Sequence, residues 1–368
     1  MDNFTGSVAN TLIDSPSEIC SVTSAKHIQA IASYLPLDLS SFFGFECRLG
    51  ETAPSCDFLL CIHSALSGGQ KLIQASHRFE THSWQLIRKF GEAWTNGILK
   101  ERVDNIWLEF DCHTAQNDEE AAYIAGNPSF FFGMTQSEKP KEKMRLLLKD
   151  AISILSGQKY LQASWDLIEK CIQNIPDYAF VFQCGNMLSR ASDLIRLCIR
   201  GLKSQDIAGY LEKIGLNCDI RILSDFVEKI AVFAHAIDID LDILPQGICD
   251  KVGFEVRVRP DIGHPKEWYK FLDFLYELKL GLPEKLTGIK KWPVFHHMYE
   301  NHINWPEHYF LTAIDSGFKY IHAFENFLYH IKINFIHSEP TEAKAYLATR
   351  YAWIDSSVIN QMLRRKGQ

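Results

Sequence analysis

Several short stretches of the chain alternate apolar and polar residues, the period expected of a strand with one covered face. AIDIDLDIL, residues 236–244, is the plainest: Ile237, Ile239, Leu241 and Ile243 fall on one side, Asp238, Asp240 and Asp242 on the other. In 42–49, Phe43, Phe45, Cys47 and Leu49 oppose Glu46 and Arg48. In 103–111, Ile106, Leu108 and Phe110 oppose Trp107, Glu109 and Asp111. In 193–202, Ile195, Leu197 and Ile199 oppose Arg196, Cys198 and Arg200. In 251–260, Phe254, Val256 and Val258 oppose Glu255, Arg257 and Arg259. In 327–336, Ile331, Ile333 and Phe335 oppose His330, Lys332 and Asn334, and in 341–351 Ala345 and Leu347 oppose Lys344, Tyr346 and Arg350.

These strands fall into five pairs: 42–49 with 56–64, 103–111 with 128–134, 178–187 with 193–202, 236–244 with 251–260, and 327–336 with 341–351. Helical periodicity fills the gaps. Trp84, Ile87, Phe90 and Trp94 line one face of 82–94. Further helices are expected at 140–156, 160–174, 204–215, 223–233 (with Ser224 as N-cap), 265–281 and 306–325. The polar stretch 133–143 reads as a long loop. GFECR (44–48) and GFEVR (253–257) are a trace of repetition.

The apolar strand faces need cover, which the intervening amphipathic helices supply. The polar faces then meet solvent if the sheet is open, or line a chamber if about ten strands close into a barrel. The expected class is α+β: one domain over 1–368, with an N-terminal segment 1–41, a barrel over 42–351 and a tail 352–368.

Composition narrows the partners. The chain has 368 residues, a net charge of −7, 46% hydrophobic residues and no basic block, which argues against nucleic acid. Its ten cysteines show no CxxC spacing, as in a reduced cytoplasmic protein rather than a disulfide scaffold or zinc module. The N-terminus lacks a signal-peptide pattern and no apolar run is long enough to span a membrane.

Ten antiparallel strands in αββα-type units, polar side inward and helices outside, resemble the ABBA-type prenyltransferases, or PT-barrel. The resemblance covers roughly 42–351 and rests on topology and facing, not on a diagnostic motif. It implies a transferase that moves a prenyl group from an allylic diphosphate to an aromatic small molecule or a peptide side chain, inside a polar lumen. By the family's pattern, Arg48, Arg196, Arg200, Arg257, Arg259, Lys332 and Lys344 would hold the diphosphate, with Tyr346 of Lys-x-Tyr shielding the allylic cation. Glu46 or Glu109 would be the acidic catalytic residue. Trp107, Asp238, Asp240, Asp242, His330, Asn334 and Arg350 are candidates to line the substrate site. No cofactor is required, and Mg²⁺ is compatible. The chemistry suits these residue types: Arg presents forked donors to phosphate oxygens, fixed cations stabilise the leaving charge, and aromatic walls shield a carbocation.

The sequence departs from that pattern in two ways. The strand at 128–134 carries no basic residue, and the three aspartates are more acid than a diphosphate lumen needs. They read equally as an ion-pair ladder to the neighbouring Arg strand, as ligands of a hard cation, or as groups that orient a cationic or peptide acceptor. A peptide-modifying enzyme, such as a cyclase of natural-product biosynthesis, and a non-catalytic binding protein with a charged cavity remain alternatives. HHMYENH (296–302) lacks the His-x-x-x-His spacing of a helical zinc site, so no metal is assigned there. LSGGQ (66–70) has no P-loop context and reads as a glycine turn.

Overall fold

A computed structural model describes residues 4–112, 117–190, 194–258, 266–300, 302, 303, 305 and 307–359. Helices α1 (Thr5–Leu12) and α2 (Val22–Ala32) precede the first hairpin, β1 (Phe42–Arg48) and β2 (Cys56–His63). Then follow α3 (Gly68–Ser76), α4 (His82–Asn96), β3 (Val103–Phe110), α5 (Asp118–Ala125) and β4 (Ser129–Met134). The middle of the chain gives α6 (Lys141–Ser156), α7 (Gln158–Asn174), β5 (Phe180–Asn186), β6 (Ile195–Arg200), α8 (Ser204–Ile214) and α9 (Ile220–Ala231). The last third gives β7 (Ala236–Leu244), β8 (Gly247–Arg257), α10 (Lys266–Glu277), α11 (Pro283–Lys291), β9 (Val294–His297), α12 (Glu307–Asp315), β10 (Tyr320–Ile336) and β11 (Glu339–Asp355).

Strands β1 to β8 are antiparallel neighbours in chain order, β8 pairs β10, β10 pairs β11, and β11 returns to β1. The sheet therefore closes into a ten-stranded barrel, which removes the open edges of a flat sheet. The five expected hairpins are its staves. β9 is an eleventh strand outside the closed ring, paired with the first part of β10.

The main core is the layer between barrel and helices. Phe43, Phe45, Phe58, Leu60, Ile106, Leu108, Phe110, Phe130 and Phe132 are fully buried there, each contributing roughly 1.5–3 kcal/mol. On α4, Phe90 meets the rings of Phe130 and Phe132 at 4.8 and 5.4 Å. Trp94 donates from Nε1 to the Val103 carbonyl at 2.9 Å, tying this helix to the start of β3.

Some expectations are corrected. The 223–233 helix starts at Ile220: Asp219 is the N-cap, accepting from the Arg221 and Ile222 amides, and Ser224 lies inside the helix. The stretch 133–143 is no long loop, because β4 runs to Met134 and α6 starts at Lys141. LSGGQ opens α3. A Cβ on Gly68 would sit 2.3 Å from the His63 carbonyl oxygen, and one on Gly69 2.3 Å from Thr95 Oγ1, so the glycines allow close packing. The helix expected over 306–325 stops at Asp315. Gly317 and Phe318 take left-handed φ of 62° and 58°, and the chain then enters β10. Helices α1, α2, α3, α5 and α11 lacked a periodic signal strong enough to be read.

Candidate active site

Inside the barrel lie two cavities that share a wall. The first, about 860 Å³ of empty space, is lined by the rings of Trp107, Phe131, Phe182 and Tyr329 together with Arg196, Arg200, Asp240, Glu255, Arg257, His330 and Lys332. The second, about 700 Å³, is lined almost wholly by charge, including Glu46, Asp57, Asp111, Arg190, Arg196, Lys251, Lys332, Glu342 and Lys344. Leu59, Glu109, Arg196, Lys332 and Tyr346 border both.

The three aspartates of β7 face this lumen, buried to within 3% of full burial. Asp242 takes a fork from Arg196, with Nε at 2.6 Å and Nη2 at 3.0 Å, and also meets Lys251 at 2.8 Å. Asp240 is bound by the Lys332 ammonium. Asp238 sits between Arg200 at 3.0 Å and Arg257 at 2.9 Å. Cross-strand register explains the ladder: Asp242 is opposite Arg196, and Asp238 opposite Glu255, two residues from Arg257 on the same face. Burial pushes the Asp242 carboxyl up, but Arg196 and Lys251 more than reverse it and hold it well below the usual range.

At the charged end, Arg48 pairs with Asp57 at 2.8 Å and lies 3.6 Å from Glu46. Lys344 donates to Glu46 at 2.8 Å, and the Tyr346 hydroxyl donates to the other Glu46 oxygen at 2.5 Å. Against the cost of burial, Lys344, Tyr346 and Arg48 hold Glu46 far below the ordinary carboxylate range, which leaves it a poor proton acceptor. Asn334 donates to Glu342 at 2.6 Å. His330 stacks on Tyr346 at 4.2 Å; burial, with Arg257, Lys332 and Arg200 nearby, holds its imidazole neutral at pH 7.

Glu109 is different. None of the hydrogen bonds or ion pairs among the described residues involves its carboxylate. Burial, aided by repulsion from Glu46 and opposed by Arg196 and Lys332, raises it to about 7. Glu255, buried beside Asp240 and Asp238, is raised to about 8. These two acids carry the protons that the ladder carboxylates cannot.

Two β-bulges shape the aromatic end. The register slips between Val181 and Gln183, and again between Leu328 and His330. Each slip adds a residue, and the added Phe182 and Tyr329 turn inward beside Gln183 and His330. Their rings take the guanidinium faces: Arg200 lies 3.7 Å above Phe182, and Arg257 5.1 Å from Tyr329. Trp107 meets Phe42 edge-on at 5.4 Å. Sequence reading missed Phe131, Phe182 and Tyr329, because FFF and FVF show no alternation and a bulge reverses parity. It also left Lys251 and Arg190 unassigned.

Two candidates fall elsewhere. Arg350 is exposed, pairs with Glu325 at 3.1 Å and lines neither cavity, because β11 has passed the lumen by that residue. Arg259 lies outside the described residues. Among the described residues, Cys198, Asp240 and Glu255 could approach one cation. They do not fit Mg²⁺: the Cys198 thiol is held above its ordinary range by burial, Glu255 keeps its proton, and Lys332 already neutralises Asp240.

No protein-family model and no curated protein matches the chain. Solved structures do. The 5-dimethylallyltryptophan synthase from Streptomyces coelicolor superposes with a TM-score of 0.57 at 9% identity, over 93% of this chain and 97% of that one. The fold is the PT-barrel. A 6-dimethylallyl tryptophan synthase (TM-score 0.50, 11% identity, 94% of this chain and 95% of that one) has it too. So does AnaPT from Neosartorya fischeri (TM-score 0.50, 10% identity, 95% of this chain and 91% of that one). Within this PT-barrel, every described cation that lines the two cavities has a carboxylate partner. No described helix is long and apolar enough to cross a membrane.

Proposed function

We propose that the protein transfers a prenyl group from an allylic diphosphate to an aromatic acceptor, a small molecule or a peptide side chain, inside the lumen. The observation that carries this is the position of Glu109: a carboxylate with no partner among the described residues, raised to about 7, on the wall shared by a ring-lined cavity and a cation-rich one. The diphosphate would lie toward Arg196, Lys332 and Lys344, with the prenyl chain and acceptor among Trp107, Phe131, Phe182 and Tyr329. The allylic C–O bond breaks and its electron pair leaves with the diphosphate, where fixed cations stabilise the charge without reorganising. Ring faces shield the cation from water. The acceptor carbon attacks, and its proton passes to Glu109, whose affinity for a proton near pH 7 suits a general base. Glu46 is assigned the role of fixing Lys344 and Tyr346.

Paired cations must exchange a carboxylate for phosphate oxygens. Protonated Glu255 lowers the negative charge that an incoming diphosphate meets, so binding is expected to favour the proton on Glu255, while Glu109 must be ionised to act as base. The complete pairing also favours a second reading, a binding protein that holds a charged ligand without turnover.

One experiment separates them. The melting temperature is measured with dimethylallyl or geranyl diphosphate, with and without Mg²⁺, and transfer is followed with a panel of indoles and aromatic peptides. The proposal expects a shift, and transfer that Glu109→Gln slows by about 10²-fold or more while the shift persists. A shift without transfer to any acceptor supports the binding protein. No shift with any allylic diphosphate removes the transferase reading.

A further inference from the structure

Outside the barrel, the fold assembles a second polar cluster that the lumen chemistry does not use. His296 lies on β9, His302 six residues later, and Asp14 just after α1, nearly three hundred residues away in sequence. The Asp14 carboxylate oxygen Oδ2 lies 3.2 Å from His296 Nε2 and 3.4 Å from His302 Nε2. The three ligand atoms all fall within 4.8 Å of one another. His296 is 8% exposed, and its Nε2 faces this group without a hydrogen bond. A buried ring nitrogen in that state is costly unless something binds it.

The other nitrogen of His296 is already committed. Nδ1 lies 2.5 Å from Glu300 Oε2, four residues on. With Nδ1–H donating to that carboxylate, the Nε2 lone pair points at Asp14 and His302. A carboxylate behind a ligating imidazole is the arrangement that orients such ligands and raises their basicity.

We propose that Asp14, His296 and His302 bind one divalent transition-metal ion of the Zn²⁺ class, with Glu300 orienting His296. Two imidazoles and one carboxylate suit such an ion and not Mg²⁺ or Ca²⁺. A tetrahedron with bonds of about 2.0–2.1 Å has edges of roughly 3.3–3.4 Å, and both measured edges lie close to that. Asp14 and His302 are about half exposed, which leaves an entry path and a fourth position for water. The ion would pin the segment after α1 to β9, and through β9 to β10, which lines the lumen further along. Its role is a clamp on the barrel wall, independent of the transferase reading.

The test uses the full chain, freed of metal by chelation and titrated with Zn²⁺ alone. The expected result is one ion per chain and a rise in melting temperature. Co²⁺ in its place should give the intense visible bands of a four-coordinate site. His302→Ala and Asp14→Asn, both at exposed positions and so compatible with folding, should each weaken binding tenfold or more, while His77→Ala leaves it unchanged. The inference is overturned if Zn²⁺ binds only in the millimolar range, or if binding survives both His302→Ala and Asp14→Asn.

Discussion

The two halves of the lumen come from the same ten strands and both carry ion pairs, yet only one adds a wall of rings. The difference traces to single strand positions. Where the pleat is regular, inward residues read as polar alternation: Arg196, Asp240, Lys332 and Lys344. Where a bulge adds a residue, an aromatic side chain enters beside the polar one, as with Phe182 and Tyr329. The charged half is thus fixed by mutual attraction among buried groups, and the aromatic half by rings packed on the guanidinium faces of Arg200 and Arg257. Buried ion pairs of this kind add little net stability over apolar packing, but losing one partner is expensive.

That contrast can be broken most sharply at Lys332. Lys332→Ala leaves Asp240 buried without its ammonium, and a loss of about 3–5 kcal/mol is expected in chemical denaturation. Lys332→Met with Asp240→Leu should recover most of it. Equal losses in single and double variants would mean that packing, not charge pairing, holds this wall.

In the ring-lined half the expected effect is functional. Trp107→Ala should weaken binding of geranyl diphosphate by about 1–2 kcal/mol through lost apolar and cation–π contact, and leave inorganic diphosphate unaffected. An equal loss for both ligands would show that the two cavities do not divide the substrate as proposed.

Protonation tests the border between the halves. Glu255 holds its proton in the folded state up to about pH 8, whereas the unfolded chain releases it near the ordinary 4.5. The folded state then binds more protons throughout that window, so stability falls as pH rises across it, by up to about 1.4 kcal/mol per pH unit. Glu255→Gln should remove that slope, gaining on the native protein from pH 5 to pH 8. A variant less stable at every pH would show that Glu255 is ionised. By the same sign, inorganic diphosphate should bind more weakly as pH climbs from 6 to 9 and Glu109 and Glu255 ionise.

The smallest effect is expected outside the cavities. Arg350→Ala breaks an exposed pair with Glu325 and should change stability by less than about 0.5 kcal/mol, with no effect on diphosphate binding.

Alternation by itself determined seven of the barrel strands and the face each of them turned to the core. It placed Asp238, Asp240 and Asp242 with Arg257 on one face, because the period of a strand is two wherever the pleat is regular. It marked Glu46 and Glu109 together, since both share their strand's polar face. Only the tertiary structure separated them: Lys344 and Tyr346, three hundred residues away, depress Glu46, while nothing among the described residues pairs with Glu109. Only the closed sheet decided that the aspartates face cations across a chamber rather than bulk water. Phe182 and Tyr329 were hidden because a bulge shifts parity by one residue, and Asp14 because nothing local links it to His296 and His302. Pattern reports what a residue's immediate neighbours impose, whereas charge state and ligand sets depend on partners that the chain brings together only by closing on itself.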